Sequence, residues 1–226
     1  MLKEVLERRC YRRASAGFDV EPGELWLDLG ANIGGFALYC KSRGARAECY
    51  EPDPQCYALL VKNVPEFICY PAAVTSSRTA KIKFYHPNSP LEHSRGTVWM
   101  VNKFHLAGMV ENFYAGKFIR RTFDGVKMDI EGAEGPLLDQ WLLPRCKKLV
   151  LEYHSSRDVC VPSFVKRLTQ LKKHFAHVEY PPEFDRIVAE GFERFERWID
   201  APELPNGGRY VQYPTADRTL FAWGPK

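Results

Sequence analysis

The sequence contains no C-x-x-C pair, no internal repeat and no low-complexity tract. No apolar run approaches the ~18 residues of a membrane span. Residues 1–9 hold no apolar core of the signal-peptide kind. Charge of one sign is also scarce: 32 Lys and Arg against 28 Asp and Glu leave only +4, too little to call for nucleic acid. The seven cysteines, at 10, 40, 49, 56, 69, 146 and 160, are odd in number and scattered. They fit neither a disulfide framework nor a zinc site, and they predict reduced thiols in a cytoplasmic protein.

What is present is ordinary globular material. Hydrophobic residues at 45% and charged residues at 27% exclude a disordered chain, a collagen and a coiled coil. A length of 226 residues is read as one domain, 1–226, with embellishments. These are an N-terminal helix and lead-in over 1–24, basic through Arg8, Arg9, Arg12 and Arg13, and an insertion or lid over 183–209.

Between them, short apolar runs alternate with helical stretches. Strands are expected at 25–29, 47–50, 67–74, 126–130, 148–153, 176–180 and 219–223. Helices are expected at 36–43, 54–63, about 133–143 and 163–174. Two extended segments, 80–85 and 96–101, are read as a hairpin-like excursion. The alternation predicts a mostly parallel sheet with helices on both faces. Ligands in such sheets bind beyond the carboxyl ends of the strands, here at 30–35, 51–53, 72–74, 129–132 and 152–154.

The informative stretch is Leu27-Asp28-Leu29-Gly30-Ala31-Asn32-Ile33-Gly34-Gly35-Phe36, with Glu51 ending the next strand. A dinucleotide fingerprint needs G-x-G-x-x-G, and Asn32 occupies its second glycine position. Asp28 would also repel a pyrophosphate. S-adenosylmethionine suits the pattern better, because it carries a sulfonium, an ammonium, a carboxylate and a ribose diol but no phosphate. Asp28 can attract its cationic part, directly or through water. Glu51 can accept both ribose hydroxyls. The helix start near Gly34 can hold the carboxylate.

Asp-Leu-Gly-Ala-Asn-Ile-Gly-Gly (28–35), Tyr-Glu-Pro-Asp-Pro (50–54), Ala-Ala-Val (72–74), Val-Lys-Met-Asp-Ile-Glu-Gly-Ala-Glu (126–134) and Leu-Glu-Tyr-His (151–154) together resemble the FkbM-type methyltransferases. The resemblance covers roughly residues 20–155. It implies a class I methyltransferase fold, a Rossmann-like three-layer sandwich whose seven-stranded, mostly parallel sheet has its last strand antiparallel. It also implies S-adenosylmethionine as cofactor and O-methylation of a hydroxyl on a sugar, glycan or natural product. The cofactor residues it implies are Asp28, Gly30, Asn32, Gly34, Glu51 and Pro52, with Ala73 near adenine and Asp129 near the methionine end.

Asp129, Glu152 and His154 are the candidate catalytic groups, since an alcohol needs a positioned base. The same three could instead hold Mg or Mn, which would lower the hydroxyl's pKa. Tyr180-Pro181-Pro182-Glu183-Phe184 is read as a turn rather than an amino-methyltransferase motif, because it sits at the wrong strand. The aromatic stretch Phe184–Trp198 is read as core or lid, with a substrate-facing or homodimer surface as the alternative. His86, His93 and His105, with Arg95 and Lys103, rim either the acceptor pocket or a solvated loop. A nicotinamide-dependent oxidoreductase and a silent binding module remain as competing readings.

Overall fold

The computed structural model describes residues 17–87, 104–131, 133–140, 145–152, 161–180 and 219–225. The basic N-terminal helix, the 96–101 segment, His93, Arg95, Lys103, His154 and the 183–209 insertion lie outside these residues.

In chain order the elements are β1 (Leu25–Leu29), α1 (Gly35–Ser42), β2 (Arg46–Tyr50), α2 (Pro54–Asn63), β3 (Ile68–Tyr70), β4 (Ala72–Thr75), β5 (Lys81–Pro87) and β6 (Phe104–Tyr114). There follow α3 (Ala115–Phe118), β7 (Phe123–Met128), α4 (Glu134–Gln140), β8 (Cys146–Glu152), α5 (Val161–His174), β9 (Phe175–Glu179) and β10 (Thr219–Pro225). Seven strands form one sheet in the order β3-β2-β1-β7-β8-β10-β9. Every pairing in it is parallel except those of β10, which runs antiparallel to both β8 and β9. This is the sheet expected from the sequence, with the switch point between β1 and β7.

The period of two in each strand builds two cores. Leu27, Leu29, Val126, Met128, Leu149 and Leu151 face one side, packed with Leu137 and Leu138 of α4 and Leu168 and Leu171 of α5. Trp26, Cys49, Val150 and Phe221 face the other, packed with Phe36, Ala37 and Cys40 of α1 and Leu60 of α2. The Trp26 ring lies flat on the β7 backbone, because a Cβ on Gly125 would come within 2.4 Å of it. α2 has the start its sequence announces: Asp53 caps it by accepting from the N–H groups of Gln55 and Cys56, and Pro54 opens the first turn.

The single strand expected over 67–74 is two strands. Pro71 has no N–H to continue a ladder, so the chain leaves β3 in the main sheet and enters β4 in a second sheet, ordered β4-β6-β5. β5 pairs antiparallel with β6, and the 96–101 segment expected to pair with it lies outside the described residues. The small sheet docks through aromatic rings. Tyr50 of β2 stacks on Tyr70 of β3 at 4.8 Å, and Phe113 of β6 meets both edge-on at 5.8 and 5.6 Å. Asn112, buried, ties the sheet together by accepting from Thr75 Oγ1 and donating to the carbonyls of Ser77 and Thr79. The result is a wall standing above the carboxyl ends of β1, β2 and β7.

Candidate active site

A cavity opens between that wall and the strand ends, with about 620 Å³ of empty space counting its open mouth. Its floor is Leu29, Gly30 and Asn32. One side is Tyr50, Glu51 and Pro52, and the other is Asp129, Ile130, Glu131 and Ala133. The wall contributes Ala72–Thr75 of β4 and Phe84 of β5. Among the described residues that line the cavity three are carboxylates, and none is Lys, Arg or His.

The floor depends on one glycine. Gly30 has φ +76°, and a Cβ there would lie 1.8 Å from the Asp129 carbonyl oxygen. The loops after β1 and β7 therefore touch backbone to backbone, and the Asp129 N–H donates to the Leu29 carbonyl at 3.0 Å. Asn32 and Glu131 are the two non-glycine residues with positive φ among those described, at 52° and 54°, and both line the cavity. Asn tolerates this conformation better than most residues, which explains how it occupies a position where a nucleotide loop carries glycine. For Glu131 the same backbone is strain, of the sort that gathers at functional sites.

The loop's own N–H groups are consumed internally. Gly30 and Ala31 both donate to the Tyr50 carbonyl, Gly34 to the Ala31 carbonyl, Asn32 to Glu51 Oε2 and Ile33 to Asn32 Oδ1. A phosphate cradle works through backbone N–H groups aimed at the anion. These five are not aimed at the cavity.

Glu51 is buried, with Oε2 2.7 Å from the Asn32 N–H nitrogen and Oε1 2.8 Å from that of Asp53. Burial pushes its carboxyl up to about 7, against the pull of those two donors and of Lys127. Each carboxylate oxygen keeps a further acceptor site. Beside it, Asp53 Oδ2 meets His86 Nε2 of β5 at 2.9 Å, which joins the α2 cap to the small sheet.

Of the residues named from sequence, Gly30, Asn32, Glu51, Pro52, Ala73 and Asp129 converge on the cavity. Asp28 does not. It is fully buried beneath the floor, on the α1 side, where burial raises its pKa and Lys127 opposes the rise. Gly34 also stands back, packed toward Leu60 and Asn63, and the Asn63 side chain donates to the Ile33 carbonyl. Glu152 ends β8 outside the lining. The register pairs Met128 with Leu151, which leaves Asp129 and Glu152 at neighbouring strand ends. His154 lies outside the described residues. Among those described, no three His, Cys, Asp or Glu side chains group to hold a metal, so the Mg or Mn expectation finds no support there. No described helix is long and apolar enough to cross a membrane.

Sequence reasoning missed Lys127 and Phe84. Lys127 is buried on β7 in register with Asp28, 3.6 Å from the Asp129 carboxylate. A lysine between Val126 and Met128 in an apolar strand was a visible signal. Phe84 was not foreseeable, because it reaches the cavity only through the small sheet.

A 65-residue stretch is 35% identical to the 31-O-demethyl-FK506 methyltransferase FkbM of Streptomyces tacrolimicus, covering 28% of this chain and 24% of that protein's length. Among solved structures, a TehB-like SAM-dependent methyltransferase from Corynebacterium glutamicum matches at 14% identity and a TM-score of 0.40, over 97% of this chain and 95% of that one. The precorrin-6y C5,15-methyltransferase of Geobacter metallireducens matches at 12% and 0.41, over 71% and 68%. The strand order above carries the fold assignment. The FkbM methyltransferase domain, as a sequence family, matches residues 28–185, more than half of the chain, and the protein therefore belongs to the FkbM methyltransferase family.

Proposed function

We propose that the cavity binds S-adenosylmethionine and that the protein is an O-methyltransferase acting on a hydroxyl of a sugar or glycan. The observation that carries the reading is the charge of the lining, to which Glu51, Asp129 and Glu131 bring three carboxylates. Such a surface favours a cation and disfavours a pyrophosphate. The internally satisfied loop supports the same choice and speaks against the nicotinamide alternative.

In this reading Glu51 accepts the ribose hydroxyls with the acceptor sites its backbone donors leave open. Pro52 and Ala73 border the adenine. Gly30 allows close approach along the floor, Asn32 holds the loop in its left-handed turn, and Gly34 lets α1 begin against α2. Asp129 faces the methionine ammonium. Bound there, the sulfonium supplies an electrophilic methyl carbon with a neutral leaving group. Much of the rate then comes from holding an acceptor oxygen in line. The acceptor's proton goes to a base at the neighbouring strand ends, where Asp129 and Glu152 lie and where His154 follows two residues later. A sugar acceptor rests on the family likeness and on the aromatic supply of the chain, 13% of residues.

The test has two parts. Calorimetric titration should show binding of S-adenosylmethionine and none of NAD; no heat with the former rejects the reading. A mass-spectrometric screen with isotope-labelled methyl donor and a panel of sugars should then place the label on oxygen. Label on nitrogen or carbon rejects O-methylation while leaving the cofactor intact.

A further inference from the structure

We infer that Lys127 is a positioning residue of the cofactor site: its ammonium ties the Gly30 carbonyl and the Asp129 carboxylate into one rigid floor. The inference rests on the proposed reading of the cavity.

Lys127 lies in the middle of the sheet, with 5% of its side chain exposed. Its Nζ donates to the Gly30 carbonyl at 2.7 Å. It lies 3.4 Å from Asp28 Oδ1 and 3.6 Å from Asp129 Oδ2. An ammonium has three donors, and here three acceptors from different segments converge on it. One belongs to the strand beneath, one to the glycine loop and one to the rim of the cavity.

A buried ion pair is weak evidence for stability, since apolar residues of similar volume often serve a core as well or better. What distinguishes this pair is where the third contact goes. Gly30 is the residue whose missing Cβ lets the two loops touch, and its N–H is already held by Tyr50. The hydrogen bond from Lys127 fixes its carbonyl as well, so both polar atoms of that peptide segment are held. The reach toward Asp129 restrains the only one of the three lysine partners with a carboxylate in the cavity lining. The charges also make sense together. Asp28 and Asp129 against one lysine leave a single negative charge on the floor, which a bound cation balances.

The rival explanation is that Lys127 merely neutralises Asp28. The two explanations predict opposite signs in one background. In D28N there is no charged acid beneath the floor, and Lys127 keeps its Gly30 and Asp129 contacts. Adding K127M then removes a positive charge from beside a cation-binding cavity. If the lysine is only a counter-ion, S-adenosylmethionine should bind D28N/K127M as well as D28N, or more tightly. If it positions the floor, affinity should fall roughly tenfold or more, the scale of a lost charged hydrogen bond. The melting temperature should fall little, because the apolar chain of K127M fills the same buried space without a charge to desolvate.

The experiment is calorimetry with S-adenosylmethionine, alongside thermal melts, on the full-length wild type, D28N and D28N/K127M. Weaker binding by the folded double variant supports the inference. Equal or tighter binding than D28N overturns it. Should D28N not fold, wild type is compared with the double variant, whose summed charge is the same; equal affinity again overturns the inference. A wild type that does not bind at all sinks the cofactor reading itself, a result distinguishable from failure of the lysine's role alone.

Discussion

The residue with most to say about pH is Glu51. Its folded pKa of about 7 stands above the ordinary 4.5. The native, ligand-free protein thus holds this proton more tightly than the unfolded chain does, and stability from this group falls as pH rises through that window. In the proposed reading ribose hydroxyls donate to the ionised carboxylate, so cofactor binding works in the other direction. Affinity for S-adenosylmethionine should climb with pH, by up to about tenfold per unit below pH 7, and flatten above about pH 8. Titrations across that range should show the climb, and Glu51→Gln should lose it. Glu51→Ala should weaken binding by about 1–3 kcal/mol; unchanged affinity would remove Glu51 from the site. Gly30 gives a second test. In Gly30→Ala the new Cβ meets the Asp129 carbonyl, in a left-handed backbone that disfavours alanine. Denaturant melts should show a loss of about 2–5 kcal/mol, combining the backbone cost with overpacking. An undisturbed midpoint would mean the two loops do not touch as described.

At the scale of elements, α2 is the helix that turns sequence into site. Asp53 caps it, Glu51 holds the Asp53 N–H, and His86 reaches down from the small sheet to the same carboxylate. Asp53→Ala should cost about 1–2 kcal/mol in denaturant unfolding, the worth of a good cap. This helix was fully legible in the sequence, since Asp-Pro at a helix start has a local cause. The main sheet was legible for a similar reason: its strands are short apolar runs set between helices, and the last falls where the antiparallel strand lies. The small sheet was not. β6 reads Phe-His-Leu-Ala-Gly-Met-Val-Glu-Asn-Phe-Tyr, which has no clean alternation and a glycine at its centre. Its partner β4 was hidden inside a run that Pro71 divides. In the cavity wall, 72–74 was named in advance, whereas Phe84 was invisible. The floor was predictable from its glycines and acids, but not from the lysine underneath, whose three contacts are set by tertiary folding.

For the molecule as a whole, a ligand that binds only the folded chain must stabilise it. At a hundred times its dissociation constant S-adenosylmethionine should add about 2.7 kcal/mol. In a chain of this size that amounts to a melting temperature higher by roughly 5–10 °C. NAD at the same concentration should add nothing. A scan with no shift for S-adenosylmethionine at saturating concentration would argue against the cavity as its site. The order of the sheet has a different consequence. Within it β9 has β10 as its one neighbour, and β10 lies between β9 and β8. A ribosome that has delivered residues up to 180 has made a strand with nowhere to dock, and the edge of β8 stays bare until residues 219–225 arrive. Assembly of this half of the sheet waits on β10, and a nascent chain halted before residue 219 leaves the facing edges of β8 and β9 exposed to aggregation.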